Sequence, residues 1–132
     1  WTDHGEVFHA KDSKWGAKMT WAPCVVHRNG KFYLYYGDAN SGGIGVAVSD
    51  LPTGPYIDNH DRPVVGMDTP GVLLYDENNR CIKNKKGVPG AISGSENWGM
   101  WCFDPCVFVD DDGQAYMYFG GDHPDKSRII KI

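Results

Sequence analysis

The sequence predicts an all-β protein built of propeller-type blades, and three observations carry that prediction. Seventeen glycines and eight prolines are spread through 132 residues, and aromatics reach 13%, a mixture suited to short strands joined by tight turns. Each Gly or Pro costs a helix interior about 1 to 3 kcal/mol, and only Glu6–Trp15 and Val72–Lys86 run for ten residues or more without either. The two best strand candidates, Phe32-Tyr33-Leu34-Tyr35-Tyr36 and Ala115-Tyr116-Met117-Tyr118-Phe119, are apolar on both faces, as a sheet needs when further layers cover each side.

In chain order the strands read Val25–His27, Phe32–Tyr36, Gly45–Ser49, Val107–Asp110 and Ala115–Phe119. Asn29-Gly30 and Asp112-Gly113 supply the positive φ that tight hairpins require. Between the third and fourth strands runs a long link, residues 57–99, read as an inter-blade insertion, lid or rim. Within it Val72–Tyr75 and Arg80–Lys83 suit the arms of a hairpin around Asp76-Glu77-Asn78-Asn79.

An internal repeat supplies the stacking layers. Trp21-Ala22-Pro23-Cys24-Val25 through Tyr33-Leu34-Tyr35 aligns with Phe103-Asp104-Pro105-Cys106-Val107 through Tyr116-Met117-Tyr118, at an offset of 82 residues before the turn and 83 after it. Each copy is a strand, a Gly turn and a second strand, which is how propeller blades begin.

Composition removes several functions. The length allows one domain, residues 1–132, and no run approaches the ~18 apolar residues of a spanning helix. The net charge of −4, without blocks of one sign, speaks against nucleic-acid and membrane partners. No charged-then-apolar leader opens the chain. A secretion signal would lie upstream of Trp1, so secreted and bacterial cytoplasmic locations both stay open. The five histidines show no paired ligand spacing, and Asp110-Asp111-Asp112-Gly113 lacks the alternating ligands of a calcium loop, so no metal site is expected. Cys102 and Cys106 would lie roughly 13 Å apart along a strand, too far for a direct bridge. Cys24 and Cys106 read as small, buried, reduced side chains, with a bridge between them as the lesser alternative.

Beyond pattern, the wording of Trp1-Thr2-Asp3-His4-Gly5, Trp21-Ala22-Pro23, Lys31–Tyr36, Ile44–Asp50, Pro52–Tyr56 and Phe103–Gly113 resembles, in order, the catalytic domain of glycoside hydrolase family 43. The resemblance implies a five-bladed β-propeller with an axial pocket, and inverting hydrolysis of the xylosides or arabinosides of plant hemicellulose. It implies three carboxylates, of which Asp104 matches the one that orients the general acid and raises its pKa. The general base and general acid are expected outside this stretch, with Trp1–Phe8 closing the first blade. No cofactor is implied; the family often carries a cation on the axis, but no residue here is identifiable as its ligand.

An inverting glycosidase needs an acid on one side of the glycosidic bond and a base activating water on the other, and a neighbouring carboxylate keeps the acid protonated by like-charge repulsion. Without its flanking motif Asp104 would be an Asp-Pro step opening a strand; with it, the functional reading prevails. Glu6, Glu77, Glu96, Asp38 and Asp122 carry no such motif and read as solvated loop carboxylates. Sugar sites set aromatic faces against C–H-rich sugar faces, and the resemblance assigns Trp21, and with less force Phe103, to the pocket wall. Trp101 is a further candidate for which inter-blade packing is the stronger reading. The expected partner is a pentose-containing oligosaccharide or polysaccharide. A catalytically silent carbohydrate-binding or self-assembling segment is the alternative function. Exposed blade faces should make the isolated chain self-associate.

Overall fold

The computed structural model describes residues 1–38, 43–66, 69, 102, 104–120 and 128–132. These residues form two three-stranded antiparallel sheets: β1 (Trp21–Arg28), β2 (Lys31–Asp38) and β3 (Gly43–Ser49) in that order, and β4 (Cys106–Val109), β5 (Ala115–Phe119) and β6 (Arg128–Lys131) in that order. A single 3-10 turn, Ala10–Asp12, occupies part of Glu6–Trp15. Asn29 (φ 52) and Gly30 (φ 73) make the first hairpin turn, the left-handed pair whose twist matches the flanking strands. At the second, Gly113 (φ 83) closes the chain, and Asp110 and Asp112 accept backbone N–H bonds from Asp111 and Gln114, both at 2.8 Å. The acidic tip is a turn whose carboxylates cap its own backbone.

The internal repeat is reproduced in hydrogen-bond register. Cys24 pairs with Tyr35 and Val26 with Tyr33 in the first sheet, and Cys106 pairs with Tyr118 and Phe108 with Tyr116 in the second. The register continues outward, since Val46 opposite Tyr35 corresponds to Ile129 opposite Tyr118. The matched segments thus lie in two separate sheets. A propeller blade commonly has four strands. In the first, the fourth rank is two isolated bridges to β3, from Ile57 to Val48 and from Val65 to Ile44, so residues 57–65 run along its outer edge. The hairpin expected at Val72–Lys83 lies outside the described residues.

Both faces of β2 are covered. Tyr35 packs with Ile44, Val65, Met117, Phe119 and Val107 between the two sheets. On the other face, Leu34, Tyr36, Ala47 and Tyr56 pack under Val7, Phe8, Ala10, Trp15 and Ala17, so the N-terminal segment takes the position of a preceding layer. At its centre the fully buried Tyr36 donates its hydroxyl to Asp58 at 2.7 Å, and Trp15 Nε1–H donates to the same carboxylate oxygen at 2.9 Å. Burial, then the nearby carboxylate, raise the Tyr36 phenol above its usual range. The other oxygen of Asp58 receives the His60 backbone N–H at 3.0 Å and faces His60 Nδ1 at 2.9 Å.

Cys24, Cys102 and Cys106 are free thiols. Cys102 is fully buried, and burial pushes its thiol up to about 12. The buried reading of the other two needs correction: Cys24 is half-buried and Cys106 exposed. Alternation along β4 turns Val107 toward the first sheet and Cys106 away from it, while Cys24 Sγ accepts the Val107 backbone N–H at 3.3 Å.

Candidate active site

Asp104 stands immediately before Pro105 and two residues before β4, and its repeat equivalent Ala22 stands immediately before Pro23 near the start of β1. Both have left-handed backbone, φ 51 and φ 40. For an L-residue this costs roughly 1 to 2 kcal/mol, least for Asp and Asn, and the register of β1 shifts between Trp21 and Cys24. Each blade therefore begins with one residue lifted out of the ladder. The Val107–Cys24 contact brings these two starting points alongside each other, because β1 and β4 are the strands by which the sheets approach.

Asp104 is exposed, yet partial burial raises its carboxyl above the ordinary 3.8. Trp21 pairs with Gly37 and leaves 46% of its surface exposed, so its ring is available as a wall. Trp101 and Phe103 lie outside the described residues. Of the other carboxylates considered, Glu6 is exposed as expected, but Asp38 is fully buried rather than solvated; Glu77, Glu96 and Asp122 lie outside the described residues. One cavity of about 570 Å³ is lined by Asn59–Val64, and another of about 370 Å³ by Glu6, Phe8, His9, Ala10, Lys18 and Thr20. Asp104 lines neither. Among the described residues, no group of three or more His, Cys, Asp or Glu is arranged to hold a metal ion.

Sequence reasoning missed Asp58 and Ala22. The signal for Ala22 was present, as the residue matched to Asp104 in the repeat. Asp58 gave none, because its Tyr36 and Trp15 partners are 22 and 43 residues away.

Face-packed antiparallel sheets of one repeat define blades of a β-propeller. The profile of the glycosyl hydrolases family 43 matches residues 1–86, and the chain belongs to that family. It is 40% identical over 123 residues to a xylosidase/arabinosidase 43A of Humicola insolens, covering 91% of this chain and 27% of that protein. An arabinoxylan arabinofuranohydrolase of Paenibacillus polymyxa is 40% identical over 146 aligned residues, covering 100% of this chain and 19% of that one. Among solved structures, an α-L-arabinofuranosidase from Clostridium thermocellum superimposes with a TM-score of 0.76 at 52% identity, covering 100% of this chain and 36% of the other. The chain thus spans roughly a fifth to a quarter of the length of these curated relatives.

Proposed function

We propose that this chain is part of a glycosidase that hydrolyses xylosides and arabinosides of plant hemicellulose with inversion at the anomeric carbon. Asp104 is its positioning carboxylate and Trp21 a wall of the pentose site. The general acid and general base come from the larger share of the relatives' length that these 132 residues do not span. The observation that carries this reading is the Asp104 carboxylate, held on strained backbone ahead of β4 beside the matching start of the neighbouring blade. An unprotonated Asp104 near the acid raises the acid's pKa by like-charge repulsion and so keeps the proton available for the leaving oxygen. The named activities of the relatives, xylosidase, arabinosidase and arabinoxylan arabinofuranohydrolase, support the substrate class.

The test uses aryl β-xyloside and aryl α-L-arabinofuranoside with the full-length enzyme and its Asp104→Asn variant. kcat should fall about a hundredfold or more, the scale of a lost acid-base contribution. The alkaline limb of the kcat profile should also move to lower pH, because removing the negative neighbour lowers the acid's pKa. A merely structural Asp104 would leave that limb where it was. Sugar binding without turnover in the unaltered enzyme would favour the silent carbohydrate-binding alternative.

A further inference from the structure

We propose that Cys24 is a positioning residue for Asp104, acting from the neighbouring blade through the hydrogen bond that its Sγ accepts; the proposal rests on the glycosidase reading above. Among the described residues β4 pairs with β5 alone, so alternate backbone N–H groups on its other edge lack a ladder partner. Val107 has such an N–H, and it donates to Cys24 Sγ at 3.3 Å. Sulfur is a weak acceptor, yet its removal would strand a partly buried donor, which costs more than a typical bond is worth.

Both ends of this contact are tied to the start of a blade. Cys24 is where β1 rejoins its ladder, opposite Tyr35, directly after the register shift that contains the left-handed Ala22. Val107 follows Asp104 by three residues, and Pro105 between them has its φ fixed at about −65°, so little freedom separates the pinned N–H from the carboxylate. A left-handed residue other than glycine persists only where its surroundings over-determine it, and Asp104, at φ 51, needs such support. Without the Sγ acceptor the start of β4 is free to move toward water, and Asp104 moves with it. A carboxylate that acts by its charge on a nearby acid loses influence as that distance grows.

The test uses the full-length enzyme and the aryl glycosides, with Cys24→Val and Cys24→Ser made alone and on the Asp104→Asn background. Cys24→Val keeps a small side chain suited to a strand but accepts no hydrogen bond, whereas Cys24→Ser keeps an acceptor. Cys24→Val should lower kcat about tenfold with KM nearly unchanged. It should also move the alkaline limb of the kcat profile to lower pH, by less than Asp104→Asn does. Cys24→Ala, likewise without an acceptor, should repeat this result, and Cys24→Ser should recover most of the rate and of the limb. On the Asp104→Asn background Cys24→Val should cost little more, because its effect passes through a charge already removed. A Cys24→Val enzyme that melts at lower temperature but keeps its alkaline limb overturns the proposal. So do equal losses in Cys24→Val and Cys24→Ser, or losses that multiply in the double variant; each of these leaves the glycosidase reading standing. A limb unmoved by Asp104→Asn itself removes the role given to Asp104, and that of Cys24 with it.

Discussion

Asp104 combines backbone strain with a disfavoured charge, and the two can be separated. Asn tolerates left-handed backbone as well as Asp does, so Asp104→Asn leaves the φ of 51 undisturbed and removes only the charge. A carboxyl whose pKa is raised on folding binds its proton more tightly in the folded state, so its contribution to stability is greatest below the unfolded value and falls as pH rises through the folded one. The variant and the parent should therefore unfold alike well below the ordinary 3.8, with the variant the more stable at neutral pH; thermal melts across pH 3 to 7 check this, and a constant difference across that range would contradict it. Asp58 is a buried acceptor whose worth can be tested by contacts alone. It accepts from Tyr36, Trp15 and His60 while only 1% exposed, so Asp58→Ala strands buried donors and should cost about 3 kcal/mol or more. Asp58→Asn, which keeps an acceptor but opposes an N–H to one set of donors, should cost less. Urea midpoints compare them.

At the level of the strand and its pairing, close approach rather than propensity decides one position. A Cβ on Gly45 would stand 2.5 Å from Tyr36 Oη, across the β2–β3 pair in which these residues are partners. Tyr36 cannot retreat without breaking its bond to Asp58, so Gly45→Ala should destabilise by roughly 1 to 3 kcal/mol, whereas Gly113→Ala, with nothing near its Cβ, should cost only its left-handed turn, about 1 kcal/mol. Equal costs in chemical denaturation would remove the steric account. The same contrast explains what the sequence could disclose. β1, β2, β4 and β5 were legible because apolar runs flank Gly turns and recur at a fixed offset. β6 was not read, since Arg128–Lys131 carries only Ile129 and Ile130 as apolar signal and is recognisable chiefly as the register equivalent of part of β3. The outer rank of the first blade escaped for a similar reason, because Ile57 and Val65 touch β3 at two separate points. Asp104 was legible through its flanking residues, but its left-handed backbone was not, as a residue before proline is expected to be extended.

At the scale of the whole molecule, the register equivalence identifies a face that no described residue covers. The face of the first sheet that carries Tyr35 is covered by the second sheet; the corresponding face of the second sheet carries Phe108, Tyr118 and Ile129, exposed by 53%, 48% and 52%. Burying each such side chain contributes about 1.5 to 3 kcal/mol, and both copies contribute when two chains meet. That sum is comparable with the roughly 4 to 15 kcal/mol lost in association, so the 132-residue chain should self-associate reversibly at micromolar to millimolar concentration rather than bind tightly. Light scattering should give a mass above 14.7 kDa that rises with concentration. Phe108→Lys with Ile129→Lys should return it to the monomer value without loss of β-signal, because both side chains already face solvent. A concentration-independent monomer in the unaltered chain would mean that this face is tolerated in water. If the double variant associated as strongly as the parent, the contact would have to lie elsewhere.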